Sequence, residues 1–118
     1  YLVRDPVAVQ PDGSIIFVGD MPEEGLVDIL FGRPIDLIDA AREAVELARA
    51  ELPAPDQVFF VDCISRVLFL GDAFDAELDA MGDGNRFGIF SIGEIANSGR
   101  DYLDFYNKTA VAGLLKAG

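Results

Sequence analysis

The chain of 118 residues has no histidine and a single cysteine, Cys63. Without an imidazole, Ser-His and Cys-His catalysis and histidine-ligated metal sites are excluded. One thiol cannot form an internal disulfide or a thiolate-rich zinc site. It is also a poor nucleophile without a base to activate it, so we expect Cys63 to be a small buried apolar residue. We therefore predict a protein that needs no cofactor or metal and is not an enzyme.

Positive charge is scarce as well. Nine basic residues against 21 acidic ones give a formal net charge of −12. Proteins that bind a phosphate backbone present clustered Lys and Arg, so we expect neither nucleic acid nor an anionic membrane surface as a partner. Long apolar runs are also absent, since none approaches the roughly 18–20 residues of a membrane helix.

The composition is that of a globular chain, with 51% hydrophobic and 25% charged residues. We expect residues 1–118 to form one domain. No signal peptide is visible, and a lone thiol suits a reducing compartment, so we predict a cytoplasmic protein. Because the chain begins with Tyr1 inside a strand-like run, we also expect it to be a fragment of a longer chain.

Hydrophobic periodicity predicts an α+β fold. Apolar residues recur every three or four positions over residues 34–52, which predicts a helix, and a second helix is predicted over 64–81. An alternative for the second segment is a strand at 67–70 followed by a helix from Asp72. Residues 11–14 predict a hairpin turn. Strand-like patterns cover residues 1–9, 14–18, 26–31, 57–62, 87–95 and 108–115. The order predicts a single domain with a mixed, largely antiparallel sheet and two main helices, and 57–62 as a central strand.

Polar residues follow the predicted central strand at its junction with a helix, in the segment Asp62-Cys63-Ile64-Ser65-Arg66. Such junctions combine free backbone N–H groups with the positive end of a helix. Asp62 can bind an amine there, and Arg66 can bind a carboxylate in bidentate fashion. The alternative is a structural ion pair between Asp62 and Arg66, with Cys63 packed beside it.

Two further polar residues interrupt apolar strands. Glu94 needs a partner within its apolar run, which would be a ligand amine, Arg66, or a backbone amide at a bulge formed by Gly93. Asn107 begins the triplet Asn107-Lys108-Thr109, which matches a glycosylation sequon that matters only in a secreted protein. For Asn107 we expect side-chain hydrogen bonds at a strand entrance, or a ligand contact.

Several stretches together resemble the C-terminal domain of FIST proteins, over nearly the whole chain. The stretches are Tyr1-Leu2-Val3-Arg4, Asp12-Gly13-Ser14-Ile15, Met21-Pro22-Glu23-Glu24-Gly25, the helix around residues 37–50, Val61-Asp62-Cys63-Ile64-Ser65-Arg66, Phe87-Gly88-Ile89-Phe90-Ser91-Ile92-Gly93-Glu94-Ile95 and Asn107-Lys108-Thr109. One departure is Tyr106, where the family pattern has a histidine before the asparagine.

The resemblance implies a sensory input domain of a prokaryotic signal-transduction protein, which binds a small molecule such as an amino acid or a related metabolite. It also implies two partners in a longer protein, an N-terminal FIST half and a signalling output module. The predicted ligand site comprises Asp62, Cys63, Ser65, Arg66, Glu94 and Asn107. Arg66 would bind the anionic group of the ligand, and Asp62 or Glu94 its amine.

Two other functions stay open at this stage. The first is a protein-interaction scaffold without a ligand, whose contact surface would be Leu103, Phe105 and Tyr106, which we expect to be exposed. The second is an enzyme completed by missing chain, which the lack of histidine disfavours.

Overall fold

The computed structural model describes residues 2–97 and 103–117. Within these ranges the elements follow in the order β1 (Pro6–Val9), β2 (Ile15–Phe17), α1 (Pro34–Glu51), β3 (Gln57–Cys63), α2 (Ile64–Leu70), a 3-10 turn (Gly71–Ala73), α3 (Phe74–Ala80), β4 (Arg86–Ser91), β5 (Glu94–Ala96), β6 (Asp104–Tyr106) and β7 (Ala110–Leu115). The predicted strand start at Tyr1 and most of the predicted connection at residues 97–100 lie outside the described residues.

The three longest strands form one mixed sheet in the order β4-β3-β7. The central strand β3 runs parallel to β4 and antiparallel to β7. Two separate antiparallel pairs, β1 with β2 and β5 with β6, complete the described sheets. The predicted α+β fold with mostly antiparallel pairing is confirmed, as are the central position of β3 and the first hairpin.

Helix α1 forms where its apolar stripe predicts. Pro34 occupies the first turn, and Asp36 closes a capping box with the backbone and side chain of Arg33. The stripe is buried at Ile38, Ala41 and Val45. It packs against the sheet in a core whose other main members are Val58, Phe60 and Met81. One face of the sheet is therefore covered by helices.

The second predicted helix, over residues 64–81, is wrong as a continuous element. Gly71 has φ of +50°, which an α-helix cannot continue, so the segment divides into α2, the 3-10 turn and α3. The alternative strand at 67–70 is also wrong, since these residues end α2. The break lets α3 turn and pack against α1.

Three strand predictions also need correction. Residues 26–31 form no strand, because no other described strand pairs with them. The predicted strand over 87–95 is two strands: Gly93, with φ of +108°, separates β4 from β5, and the two belong to different sheets. The strand β6 has no counterpart among the predicted strands, and it forms because it pairs with β5.

No helix in the described ranges is both long enough and apolar enough to cross a bilayer.

The close approach at Gly93 gives a first prediction. A Cβ atom at Gly93 would overlap Cζ of Phe105 and lie 3.0 Å from Nδ2 of Asn107. The matched control is Gly13, which also has positive φ (+87°) but where a Cβ atom would have nothing within 4 Å. We expect Gly13→Ala to lose about 1–2 kcal/mol of unfolding free energy from backbone strain alone. Gly93→Ala should lose about 1–3 kcal/mol more from overpacking, measured by urea denaturation. Equal losses in the two variants would contradict this packing.

Candidate functional site

The six predicted site residues lie around the carboxyl end of β3, where β4 also ends and β7 begins. Five of them are almost fully buried, and Ser65 is half-buried. The exposed fractions of the five are 2% for Asp62, 2% for Cys63, 3% for Arg66, 2% for Glu94 and 1% for Asn107. The structure arranges them as two neighbouring groups, one around Arg66 and the other around Glu94.

Arg66 lies in the first turn of α2 and is bonded on several sides by protein groups. Its Nε donates to Oε1 of Glu77 at 2.8 Å, and its Nη2 donates to the same oxygen. Nη2 also donates to the carbonyl of Leu37 at 2.8 Å, and Nη1 donates to the carbonyl of Lys108 at 3.2 Å. These contacts do not favour the predicted binding of a ligand carboxylate, because most guanidinium N–H groups are already used.

Glu77, the main partner of Arg66, was not predicted as a site residue. It lies in α3 with a fully buried side chain. A sequence signal was available, because Glu77 falls three residues after Phe74 and four before Met81, on the apolar stripe of that segment. An acidic residue on a buried stripe needs a cationic partner.

Asp62 is the carboxylate left without a full partner. Its Oδ1 lies 3.3 Å from Nε of Arg66, an ion-pair distance. Neither of its oxygens has a hydrogen-bond partner among the described residues. Burial, reinforced by the negative charge of Glu77, raises the pKa of Asp62 to about 7, although Arg66 acts in the opposite direction. Glu94 adds a smaller contribution that also raises this pKa.

The charges of this region do not balance. Asp62, Glu77 and Glu94 are three buried carboxyl groups, and Arg66 is the buried cation among them. A region of this kind favours either a proton on one carboxyl or an added cation. No set of three or more acidic or cysteine side chains in the described ranges is placed to hold a metal ion. An organic cation that donates hydrogen bonds suits the free oxygens.

The second group surrounds Glu94 at the start of β5. Ser91 Oγ donates to Oε1 of Glu94 at 2.6 Å, and Thr109 Oγ1 donates to Oε2 at 2.5 Å. The partners observed for Glu94 are thus two hydroxyl groups rather than Arg66 or a bulge amide. The carbonyl of Thr109 accepts a hydrogen bond from the amide of Cys63, whose Sγ lies 3.1 Å from Oγ of Ser65. The group fastens the end of β3 to the start of β7.

Asn107 directly follows β6, in the turn that leads to β7. Its Oδ1 accepts a hydrogen bond of 3.4 Å from the amide of Asp5. Its Nδ2 is buried and has no hydrogen-bond partner among the described residues. Lys108 follows with its Nζ 3.1 Å from Oδ1 of Asp5, so this corner anchors the N-terminal segment.

A cleft of about 240 Å³ opens onto Asp62. Its lining includes the apolar residues Phe60, Leu78, Met81 and Phe90, with Arg86 and Asp62 as the charged groups. A second cleft, of about 230 Å³, lies at the opposite end of β3 near Pro55 and Asn85. The first cleft is the better candidate for a ligand site, because it joins an apolar wall to a buried carboxylate whose oxygens have no hydrogen-bond partner among the described residues.

The contacts of Arg66 predict a large effect on stability. Arg66→Met leaves three buried carboxyl groups without their cation, so we expect a loss of about 3–5 kcal/mol of unfolding free energy. Glu77→Gln should cost less, because Asp62 remains to balance Arg66. The matched control is Arg42→Met, which removes an exposed ion pair with Asp39 and should change stability by less than about 1 kcal/mol. Urea denaturation of the three variants tests this ranking, and a mild Arg66→Met would contradict it.

The raised pKa of Asp62 predicts a pH-dependent effect on stability. The ordinary pKa of this group is 3.8, and its folded value is about 7. Between these values the folded protein keeps a proton that the unfolded chain has released. The stabilisation from this group is therefore complete below about pH 4 and is lost as the pH rises through about 7.

Asp62→Asn removes this dependence. Relative to the wild type, the variant should gain about 3 kcal/mol of unfolding free energy between about pH 5 and pH 8, since two pH units of this interval lie below the folded pKa of about 7 and each corresponds to about 1.4 kcal/mol. Urea denaturation at both pH values measures the gain. Asp75→Asn, on the exposed surface of α3, serves as the control and should show no such trend. A difference between Asp62→Asn and wild type that does not change with pH would contradict the buried, protonated carboxyl.

Comparison with known proteins gives one match. No curated protein and no solved structure is significantly similar to the chain. The family model described as the FIST C domain matches residues 1–97, a range that contains β1 to β5 and five of the six predicted site residues. The match covers well over half of the sequence, and the chain therefore belongs to the FIST C domain family.

Proposed function

We propose that this domain is a sensory input module that binds a small molecule carrying a primary ammonium group, such as an amino acid or a related metabolite. FIST C domains are a sensory type of domain associated with signal transduction and are not a catalytic family. The observation that carries the proposal is the carboxylate of Asp62. It is 2% exposed and lines a cleft, and neither of its oxygens has a hydrogen-bond partner within residues 2–97 and 103–117.

An ammonium group matches what the cleft lacks. It supplies one positive charge to a region with three buried carboxyl groups and one guanidinium. It also donates hydrogen bonds, and among the described residues neither oxygen of Asp62, which lines the cleft, has a hydrogen-bond partner. A cleft of about 240 Å³ lies below the range of roughly 300–1,000 Å³ typical of drug-sized ligands, which suits a small metabolite.

The other predicted residues have supporting roles in this proposal. Arg66 positions Asp62 and Glu77 rather than binding the anionic group of the ligand. Glu94, through Ser91 and Thr109, holds the strand ends that border the site. Direct ligand contacts by Cys63, Ser65 and Asn107 stay predictions. The strongest support among them is the buried Nδ2 of Asn107, which has no hydrogen-bond partner among the described residues.

Signalling in this proposal follows from the position of Asp62. The site joins β3, α2 and α3, so a bound cation changes the charge balance that fixes these helices. A ligand shifts a conformational equilibrium only by its difference in affinity for the two states. The predicted recipients of that shift are an N-terminal FIST half and an output module in the cytoplasm. Cys63 has no catalytic part here, since its thiol is buried and the chain has no histidine.

The scaffold function has weaker support. Leu103 is 67% exposed, as that alternative expects. Phe105 and Tyr106 are not exposed but half-buried. The ring of Phe105 packs against Gly19 and Gly93 and lies 5.5 Å from the guanidinium of Arg4. Most of the predicted contact surface is thus used within the fold.

The test is a binding screen by calorimetry and thermal shift, with the common amino acids and short primary amines as probes. N-acetylated forms of the same compounds are the ligand controls, because they lack the ammonium group. We expect at least one amine to bind and its acetylated form not to bind. Asp62→Asn should abolish this binding, and the exposed control Asp75→Asn should retain it.

The pKa of Asp62 sharpens the test. An ammonium ligand needs the ionised carboxylate, and with a pKa of about 7 the ionised fraction rises about tenfold between pH 6 and pH 8. Affinity should therefore rise about tenfold over that interval. Absence of binding at millimolar amine, or equal binding by Asp62→Asn, would contradict the proposed function.

A further inference from the structure

Residues 26–31 have the pattern of a β-strand but pair with nothing in the part of the chain that the structure describes. Their sequence is Leu-Val-Asp-Ile-Leu-Phe, with Val27, Ile29 and Phe31 alternating on one side. No backbone hydrogen bond joins these residues to another described residue. Ile29 is 99% exposed and Phe31 is 92% exposed, so neither side chain packs against the domain. An apolar, β-branched segment of this kind is costly to leave in water.

The same chain has an unpaired sheet edge. Within the described ranges β4 pairs only with β3, so its outer edge has free backbone donors and acceptors. The sheet face away from the helices is also open. It carries the half-exposed side chains of Phe87 and Ile89 on β4, next to Phe59 and Val61 on β3. This apolar surface extends the edge at which a further strand would join. Residues 86–90 of β4 also line the cleft beside Asp62, so a strand added here would border that cleft and limit access to it in the dimer.

The accessible surface area of the chain is larger than expected for a folded monomer of its mass, which indicates that a partner covers part of it. The accessible surface is 8298 Å². A folded monomer of 12.7 kDa is expected to expose about 6,200 Å². The excess of about 2,000 Å² exceeds the roughly 800 Å² that each partner contributes to a standard interface. The radius of gyration, 15.8 Å, is likewise larger than the roughly 13.5 Å expected for this length.

We propose that residues 26–31 of one copy add as a strand to the outer edge of β4 in a second copy, and that the exchange is reciprocal about a two-fold axis. Each copy has one unpaired strand-like segment and one unpaired edge, so a closed dimer satisfies both. The open face beside β4 then receives the apolar side chains that alternate along the segment.

The position of the segment favours a second copy over its own sheet. Residues 26–31 end two residues before α1 begins at Pro34. α1 packs against β7 and α3, whereas the free edge belongs to β4, on the far side of β3. Phe31 and Pro34 are three Cα steps apart, a reach of about 10 Å, whereas a strand added outside β4 would lie three strand spacings, about 14 Å, from β7. A strand from another copy has no such tether.

The charge of the chain sets the salt dependence of this dimer. Two copies that each carry −12 repel each other, while the contact itself is apolar and backbone-mediated. Added salt screens the repulsion and leaves the apolar contact intact. Dimerisation should therefore strengthen between low and physiological salt, opposite to an interface held by ion pairs.

Analytical ultracentrifugation of the wild-type chain over about a hundredfold range of concentration tests the proposal. We expect a monomer–dimer equilibrium that shifts toward dimer as salt is added. Ile29→Asp should weaken the dimer at least about tenfold, because it places a charge in the apolar contact. This variant alters a side chain without packing contacts in the monomer, so its fold is preserved. Leu68→Asp, at a 77% exposed site on α2, is the matched control and should dimerise like the wild type.

Hydrogen exchange locates the contact. Amides of residues 26–31 and 86–91 should gain protection together as concentration rises. Three results would overturn the proposal: a monomer at every concentration, a dimer that Ile29→Asp does not weaken, or protection of residues 26–31 that does not depend on concentration. The last result would mean that the segment is covered within its own chain.

Discussion

The buried guanidinium of Arg66 is the interaction on which the helical layer depends. It joins its own helix α2 to α3 through Glu77, to α1 through the carbonyl of Leu37, and to the turn before β7 through the carbonyl of Lys108. Removing a cation from water costs several kcal/mol, and only well-placed acceptors offset that cost. The short helices α2 and α3 therefore need to keep one orientation, because any other would leave the buried guanidinium of Arg66 without its hydrogen-bond acceptors. The break at Gly71 provides the turn that brings Glu77 back to Arg66.

The same arrangement accounts for the position of the proposed ligand site at the end of β3. Arg66 donates its hydrogen bonds to Glu77, and Asp62 is left with an ion-pair contact but no hydrogen bond in the part of the chain that the structure describes. A structure selected for stability alone would replace such a carboxylate with an apolar residue. Its pKa of about 7 means that in the free protein a proton occupies this carboxyl below about pH 7, and a bound cation would favour the ionised form there. In the proposed function, stability and ligand binding therefore compete at the same carboxyl group, a common feature of functional sites.

The strands show which features of the sheets follow from local sequence pattern and which do not. Residues 57–63 became the central strand because they are apolar on both faces and have neighbours on both sides. Residues 26–31 have an equally good pattern and form no strand, because strand formation needs a partner that is distant in sequence. The run 87–95 looked continuous, but Gly93 and the ring of Phe105 packed against it divide it between two sheets. Pairing, rather than propensity, decided each of these cases.

The amino-acid sequence by itself determined the α+β class, the course of α1, the first hairpin, the central place of β3 and the family, since these follow from periodicity, turn residues and ordered motifs over most of the chain. It also indicated the segment from Asp62 to Arg66, Glu94 and Asn107 as the polar residues to examine. Only the tertiary structure decided their partners: Glu77 for Arg66, two hydroxyl groups for Glu94, and no hydrogen bond for Asp62 among the described residues. The physical reason is that hydrophobic periodicity is a local property of the sequence. The charge balance of a buried site instead depends on which side chains, distant in sequence, the fold brings within a few ångströms of each other.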